Sequence, residues 1–248
     1  VIVTDIHSGK ILAVGAGGNQ DGYNTHNYAT SSTRQIGSTA KPIFDYGPGM
    51  EYNNWSTYKL FDDSKYYYTS GQEIRNSDRS YMGVITLRKA LAESRNIPAL
   101  KAFQQVDNKK IYEFATSLGI TLDKEAKKTG KIYEAYTIGS YNATNPLEMA
   151  GAYAAIANGG IYITPTFYTR MEDAAGNIVL EPVQEKTRVM SEANAYIEQT
   201  ILRGPVGAGG TAPYAKVSGQ DTGGKTGTTT DNKDRWFCGF TPYYTAAT

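Results

Sequence analysis

The sequence predicts an α+β fold, in which an antiparallel sheet built from both chain ends packs against a helical subdomain. Two observations carry this prediction: strand-like runs lie at both ends of the chain, and capped helices with apolar faces lie between them. The 248 residues are enough to bury a substantial core. We therefore expect residues 1–248 to form a single domain.

The N-terminal region predicts a pair of strands. Val1–Ile6 and Ile11–Val14 are strand-like runs that flank the turn-like segment His7–Lys10. Residues 15–33 are rich in Gly, Asn, Ser and Thr, which predicts a loop. Residues 47–79 mix polar and aromatic side chains without a clear period, so we expect irregular structure there.

Four helices are predicted in the middle of the chain. Leu87, Ala90 and Leu91 fall on one face at a helical period. Asn145 followed by Pro146 is a good helix start, because Asn caps a helix and Pro suits its first position. The four predicted helices are Thr86–Glu93, Asn108–Leu118 after the Asp107 cap, the Ala-rich run from Pro146 to the glycine stop at Gly159, and the run from the Ser191 cap to Leu202.

The C-terminal part of the chain predicts further strands. Ile161–Met171 and Asp173–Leu180 have the pattern of a β-hairpin with Gly176 in its turn. Residues 206–224 contain several glycines, which predicts a loop. The closing strands are predicted at Lys225–Thr229 and Arg235–Tyr244.

The composition excludes several classes of function. Basic and acidic residues nearly cancel at a formal net charge of +1, which gives no basis for a nucleic-acid partner. The single cysteine, Cys238, excludes an intrachain disulfide and a cysteine zinc cluster, and its apolar neighbours predict a buried thiol. His7 and His26 are too few for a typical metal site, so no metal and no other cofactor is predicted.

The first candidate motif is Ser38-Thr39-Ala40-Lys41. Residues three apart lie on one face of a helix, so the Ser38 hydroxyl and the Lys41 amine can meet. A serine hydroxyl becomes a good nucleophile only when a base takes its proton, and a lysine serves as that base when burial or a nearby cation lowers its pKa. Pro42 is tolerated in the first helical turn, which predicts a helix beginning close to Ser38.

The second candidate motif is Ser94-Arg95-Asn96, at the end of the Leu87 helix. The hydroxyl of Ser94 and the amide of Asn96 can both point into a cleft from a loop. The alternative for this motif is structural, with Asn96 as a helix C-cap and Ser94 on the helix face.

The third candidate motif is Lys225-Thr226-Gly227-Thr228-Thr229. As an edge strand, this run pairs with an extended peptide, and Gly227 lets a ligand approach the backbone. Lys225 offers a positive charge, the threonine hydroxyls can bind a carboxylate, and the N–H of Thr228 can form an oxyanion hole with that of Ser38. The alternative is a β-prone threonine run on a solvated strand.

The three motifs in this order follow the set of penicillin-binding proteins and serine β-lactamases. The chain resembles the transpeptidase domain of class A, bifunctional penicillin-binding proteins. The resemblance covers nearly the whole chain and implies their penicillin-binding and serine β-lactamase-like fold. Further segments that look like this family are Arg34–Gly37, Ile85–Leu87, the helix from Pro146 and Trp236-Phe237.

The resemblance implies a serine D,D-transpeptidase that cross-links peptidoglycan through an acyl-enzyme on Ser38. Lys41 is then the general base, Ser94 passes the proton to the leaving group, Asn96 holds the substrate's peptide amide and Lys225 sets the local field. The residues implied to bind substrate are Thr226, Gly227, Thr228 and Thr229.

The implied partners are a peptidoglycan stem peptide ending in D-Ala-D-Ala, an amine acceptor peptide and β-lactam antibiotics. The implied location is the extracytoplasmic face of the bacterial membrane, with an anchoring helix in the parent protein. Because further strand and helix follow Trp236–Thr248 in this family, we expect the domain to be incomplete at its C-terminus.

Three other functions share some of these motifs. A class A β-lactamase carries Glu-x-x-Leu-Asn between the second and third motifs, and this pattern is absent from the sequence. A D,D-carboxypeptidase uses water as the acceptor and stays open as an alternative. A penicillin-sensing module or a non-catalytic peptidoglycan-binding module also stays open.

Overall fold

The computed structural model describes residues 1–15 and 26–248. The strands, in chain order, are β1 (Ile2–Asp5), β2 (Ile11–Val14), β3 (Leu60–Asp63), β4 (Tyr66–Tyr67), β5 (Glu73–Ile74), β6 (Gly83–Thr86), β7 (Ile161–Ile163), β8 (Met171–Glu172), β9 (Ile178–Leu180), β10 (Lys186–Arg188), β11 (Gly223–Thr228), β12 (Arg235–Phe240) and β13 (Tyr244–Ala247). The α-helices are α1 (Tyr28–Ser31), α2 (Gly47–Asn53), α3 (Leu87–Ala92), α4 (Asn96–Gln104), α5 (Asn108–Ser117), α6 (Lys124–Thr129), α7 (Pro146–Ala157) and α8 (Glu192–Leu202).

The central sheet has five strands in the order β11-β12-β13-β1-β2. Every pairing in it is antiparallel, and Ile2 lies between Ala247 of the last strand and Val14 of the second. Both ends of the chain therefore build one sheet, which confirms the predicted architecture. The strand β11 forms one edge of this sheet, as the third motif requires.

Helix α7 fills the core beneath the sheet. Every residue from Met149 to Ile156 is buried, and the helix contacts β1, β12 and β13. A helix that is apolar on all sides is expected to be buried, as α7 is. The alanine side chains of α7 also let the sheet approach it closely. The predicted cap is also present, since the Asn145 side chain accepts a hydrogen bond from the Glu148 N–H.

The other predicted helices are confirmed with small shifts at their ends. Thr86 caps α3, Asp107 caps α5 and Ser191 caps α8, and each side-chain oxygen accepts a hydrogen bond from a backbone N–H. Residues 16–25 of the predicted loop lie outside the described residues, and its remainder contains the short helix α1. Within the described ranges, no helix is long and apolar enough to cross a membrane.

The prediction of irregular structure over residues 47–79 is wrong in part. Helix α2 begins at Gly47, although glycine, at positions 47 and 49, has poor helix propensity. Tertiary packing overrides that propensity, because a Cβ on Gly49 would lie 2.1 Å from the Trp55 ring. The strands β3, β4 and β5 follow, and β3 pairs with β6.

The predicted hairpin of Ile161–Met171 with Asp173–Leu180 is also wrong in part. Strand β7 pairs with β10, and only the short strands β8 and β9 pair around the Gly176 turn. Pro165 lacks an N–H for a ladder hydrogen bond, so the first strand stops at Ile163. The last predicted strand likewise breaks, because Thr241 and Pro242 form a turn between β12 and β13.

Candidate active site

The turn that carries Ser38 is held against the edge strand by backbone contacts. Gly37 has a φ of +56°, and a Cβ there would lie 2.7 Å from Thr228 N. A Cβ on Gly227 would lie 2.2 Å from Ile36 O, and one on Gly139 would lie 2.2 Å from Gly37 O. Only glycine permits these contacts, which place Ser38 beside β11.

The structure gives Gly227 a packing role. Its missing side chain makes room for the backbone of Ile36, on the Ser38 turn. Close approach of a ligand and close approach of a neighbouring backbone leave the same sign in a sequence, since both require glycine.

Side chains from distant parts of the chain fix the same turn. The indole N–H of Trp236 donates to Gln35 O at 2.9 Å, and the Tyr153 hydroxyl donates to Thr39 O at 2.9 Å. The turn itself is a 3-10 helix, Gly37–Ala40, followed by a π-helical segment that starts at Pro42. The predicted helix start near Ser38 is confirmed, although its hydrogen-bond pattern is irregular.

Lys41 points into the protein from the end of this turn and is fully buried. Its Nζ donates to Ser94 O at 2.6 Å, to Asn96 Oδ1 at 2.8 Å and to Ser94 Oγ at 3.3 Å. Within the described part of the chain, no hydrogen bond joins Lys41 Nζ to Ser38 Oγ. The amine thus connects the first motif to the second, and Ser38 stands at the cleft beside them.

Burial lowers the pKa of Lys41 to about 7. The Asp45 carboxyl group opposes this shift, the Arg95 guanidinium adds to it and Asp63 opposes it. Desolvation outweighs these charges because the amine makes no ion pair among residues 1–15 and 26–248. A substantial fraction of Lys41 is therefore a neutral amine near neutral pH.

Lys225 also contacts the Ser94 hydroxyl. It is fully buried, and its Nζ donates to Ser94 Oγ at 2.8 Å and to Thr226 O at 3.0 Å. Burial lowers its pKa well below the usual value, and the charge of Lys41 lowers it further. Two buried lysines thus converge on one serine hydroxyl, and their repulsion disfavours the state in which both are charged.

The second motif occupies a strained turn between two helices. Ser94 has a φ of +56°, which is uncommon for a residue with a side chain. Asn96 is the first residue of α4 and not a C-cap of α3, so the structural alternative for Asn96 is not what the chain adopts. Its side chain accepts from Lys41 and donates to Arg75 O at 2.8 Å.

A buried ion network behind this turn was not predicted from the sequence. Arg95 donates to Asp63 at 2.8 Å, to Asp78 at 2.7 Å and to Ser80 O at 2.5 Å. Asn76 donates to Asp63 at 2.7 Å and accepts from the Asn96 N–H at 2.8 Å. These contacts fix the backbone that follows Ser94, at Arg95 and Asn96.

Ser38 stands where two arms of a cleft meet. The first arm, of about 340 Å³, is lined by hydroxyl groups of Ser94, Thr211, Thr226 and Thr228, together with Asp78 and Arg95. The second arm, of about 300 Å³, continues past Ser38 and is lined by Asn96, Ile138, Ser140 and Thr228–Asn232. Ser38 and Thr228 belong to both arms, so a ligand bound across them passes over the serine hydroxyl.

The residues of the third motif divide between these arms. The Thr226 hydroxyl donates to Thr211 Oγ1 at 2.9 Å in the first arm. Thr229 lines the second arm, and its hydroxyl accepts from the Asp234 N–H at 2.9 Å. Thr211 was missed by the sequence analysis because it lies in a glycine-rich loop that carries no recognised motif.

Comparison with known proteins agrees with this geometry. The family model described as "Penicillin binding protein transpeptidase domain" matches residues 1–248. This chain belongs to the penicillin-binding protein transpeptidase family. The resemblance predicted from the three motifs is thereby confirmed.

The similar curated proteins are class A penicillin-binding proteins. Penicillin-binding protein 1A/1B of Bacillus subtilis is 43% identical over 264 residues, which cover 100% of this transpeptidase chain and 28% of the relative. Penicillin-binding protein 1A of Clostridium acetobutylicum is 34% identical, with 98% of this chain and 31% of the relative covered. The chain thus spans about three-tenths of the length of these relatives.

Solved structures share the fold of this transpeptidase domain. PonA1 of Mycobacterium tuberculosis superposes with a TM-score of 0.84 at 24% identity, covering 99% of this chain and 66% of PonA1. Penicillin-binding protein 1A of Haemophilus influenzae superposes with a TM-score of 0.80 at 26% identity, covering 99% and 42%. The predicted penicillin-binding type of α+β fold is confirmed.

Proposed function

We propose that this chain is a serine D,D-transpeptidase that cross-links peptidoglycan stem peptides through an acyl-enzyme on Ser38. One observation carries the proposal: a fully buried lysine with a pKa of about 7 lies behind the cleft that exposes Ser38. A base with a pKa close to the working pH is present in its neutral form and still accepts a proton readily.

The hydrogen bonds of Lys41 suit this role. A neutral amine has two N–H groups and one lone pair, and Ser94 O and Asn96 Oδ1 accept at the two shortest distances. The lone pair then remains for the Ser38 proton. In acylation that proton moves to Lys41 Nζ, while Ser38 Oγ forms a bond to the carbonyl carbon of the penultimate D-Ala.

The oxyanion that forms in this step needs hydrogen-bond donors. The backbone N–H groups of Ser38 and Thr228 are the proposed donors, because Gly37 holds the serine turn against Thr228. The bond to the terminal D-Ala nitrogen then breaks, and Ser94 passes a proton from the lysines to that leaving nitrogen. The distances of 2.8 Å and 3.3 Å from Ser94 Oγ to the two Nζ atoms support this relay.

The two arms of the cleft set the direction of the substrate. The terminal carboxylate lies in the first arm, where Thr226 and Thr228 present hydroxyl groups near the buried Lys225. The rest of the donor stem lies in the second arm, along Asn96 and Thr229. An amine of a second stem peptide then attacks the ester carbon, a new amide bond forms and Ser38 Oγ regains its proton.

The relatives support the cellular setting of this proposal. PonA1 has been solved in complex with penicillin V, and we propose that β-lactams acylate Ser38 of this chain in the same cleft. We further propose that the domain works at the extracytoplasmic face of the membrane, as part of an anchored class A protein.

Incubation with benzylpenicillin, followed by intact mass spectrometry, tests the proposal. We expect one stable adduct on the parent chain and none on Ser38→Ala. An adduct that clears within minutes together with drug hydrolysis indicates a β-lactamase. No adduct on a chain that melts cooperatively overturns the acyl-enzyme and leaves a peptidoglycan-binding module. Release of D-Ala with water alone as the acceptor indicates a D,D-carboxypeptidase.

A further inference from the structure

A third cavity opens at the far end of the second arm. It measures about 300 Å³ and is lined by Tyr68, Ser70, Gln72, Glu134, Ile138 and Ser140. Ile138 and Ser140 also line the second arm, so the two spaces are neighbours across these residues. The three motifs contribute no residue to this cavity.

Glu134 gives the cavity a fixed negative charge. Its carboxylate accepts from the Thr69 N–H at 2.9 Å, from the Thr69 hydroxyl at 2.7 Å and from Gln104 Nε2 at 2.5 Å. Burial alone raises the pKa of Glu134, but the hydrogen bonds from Gln104 and Thr69 hold it below the usual value. The carboxylate is therefore ionised at neutral pH and locked in position.

This charge has no cationic partner among the residues that the structure describes. Among residues 1–15 and 26–248, no lysine, arginine or histidine forms an ion pair with Glu134. Burial raises the pKa of the neighbouring Tyr68 to about 12, and Glu134 contributes to that shift, so the phenol stays neutral. A half-buried carboxylate held only by neutral donors favours a cationic ligand.

One short helix connects this carboxylate with the lining of the second arm. Glu134 and Ile138 are the two ends of one 3-10 helix. At a rise of about 2 Å per residue, the two residues lie about 8 Å apart along the helix. Ile138 lies next to Gly139, whose backbone contacts the Ser38 turn. An extended peptide advances about 3.3 Å per residue, so two to three residues cover the distance beyond Ile138.

We propose that this cavity binds the ammonium group on a side chain of the donor stem peptide. The inference rests on the proposed function, in which the donor and the acceptor are both peptidoglycan stem peptides. The donor stem therefore carries the same kind of amine that an acceptor stem uses to attack the ester. The acceptor's own amine has to reach the ester on Ser38 and therefore does not occupy this cavity. Glu134 thus selects donors whose side-chain amine is free and charged.

Acylation of the protein by two matched peptides tests this inference. Both end in D-Ala-D-Ala, and they differ only in whether the side-chain amine is free or acetylated. We expect the parent chain to prefer the free amine about fivefold in kcat/KM, as for an ion pair of about 1 kcal/mol. Glu134→Gln is expected to abolish this preference, and Glu134→Lys is expected to reverse it.

Two measurements separate this inference from the proposed function. Benzylpenicillin acylates all the variants at the parent rate if they are folded, since the drug carries no such amine. Glu125→Gln removes an exposed carboxylate outside the cavity and is expected to keep the preference. An equal preference in the parent and Glu134→Gln, with normal penicillin acylation, overturns the cavity assignment alone. If benzylpenicillin does not acylate the parent chain, the proposed function itself is overturned.

Discussion

Lys41 and Arg95 are both buried next to the Ser94 turn, but only Arg95 has charged hydrogen-bond partners among the described residues. Arg95 meets two carboxylates, Asp63 at 2.8 Å and Asp78 at 2.7 Å, and keeps its charge. Lys41 meets only neutral oxygens in the described part of the chain, and burial lowers its pKa to about 7. The partnered cation stabilises the turn, whereas the unpartnered amine is free to exchange protons.

The difference shows how one small region serves both stability and chemistry. A buried ion pair that loses one partner leaves an uncompensated charge, so the Arg95 network is sensitive to single substitutions. A buried amine that is neutral part of the time carries a smaller desolvation cost. We therefore expect substitutions at Lys41 to change the reaction and substitutions around Arg95 to change folding.

The largest expected effect is at Lys41. Lys41→Met keeps the length of the side chain but removes the proposed base, so acylation by benzylpenicillin should fall about 1000-fold or more. The rate of adduct formation, measured by mass spectrometry, checks this value. Thermal unfolding of the same variant serves as the control, and its midpoint should change less than that of Asp63→Asn. Acylation within tenfold of the parent would contradict Lys41 as the base.

The next effect concerns the ion network. Asp63→Asn leaves the buried Arg95 guanidinium short of a counter-charge and should lower the free energy of unfolding by about 3 kcal/mol. Asp78→Asn is the matched control, because the Asp78 side chain is 53% exposed and Asp63 is fully buried. Its cost should be about 1 kcal/mol or less. Denaturant unfolding curves check both values, and equal costs would show that burial does not decide the strength of these pairs.

The pH dependence of acylation further tests the contrast between Lys41, whose pKa is lowered, and Arg95, which stays charged. Burial lowers the pKa of Lys41 from its ordinary value to about 7, so the neutral base is lost as the pH falls through that value. The acylation rate should be constant above about pH 8 and fall about tenfold per pH unit below about pH 6. Stopped-flow measurements of penicillin acylation across this range check the prediction. A midpoint near the ordinary lysine value would show that the Lys41 pKa is not lowered.

The smallest effect is expected at Thr211, which lines the first arm of the cleft. Its hydroxyl accepts from Thr226 at 2.9 Å in the arm proposed to hold the terminal carboxylate. Thr211→Val removes one hydrogen bond and should lower the acylation rate by about fivefold. Thr211→Ser keeps the hydroxyl and should restore most of the rate. If both variants react like the parent, Thr211 has no part in binding the carboxylate.

The parts of the fold that depend on local sequence were predictable. Asn145 and Pro146 define the start of α7 by short-range capping, and the structure has that cap. Helix α4 was not predicted, because a proline such as Pro98 disfavours a helix interior, whereas Pro98 lies in the first turn of α4, where proline is tolerated. The pairing of β7 with β10 was missed because no local signal specifies which strands pair.

The candidate site likewise has residues that the sequence predicted and residues that only the folded structure reveals. The order of the three motifs in the sequence predicted the site residues. The structure places six of them along one cleft, namely Ser38, Ser94, Asn96, Thr226, Thr228 and Thr229. Lys41 and Lys225 are buried behind it and contact Ser94. The partners of Arg95 are 32 and 17 residues away, and Thr211 is 15 residues from Thr226. Contacts of this kind depend on the folded chain, so the ion network and the extra hydroxyl appear only in three dimensions.

The single cysteine has a practical consequence for all of these measurements. Cys238 is fully buried in β12, which pairs with β11 on one side and β13 on the other. Burial raises the pKa of its thiol, and only a thiolate reacts quickly with alkylating reagents. Alkylation of Cys238 therefore requires the centre of the sheet to open, so the alkylation rate reports the opening equilibrium of the sheet. Cys238 is thus a built-in probe of unfolding, at a position that none of the proposed substitutions changes.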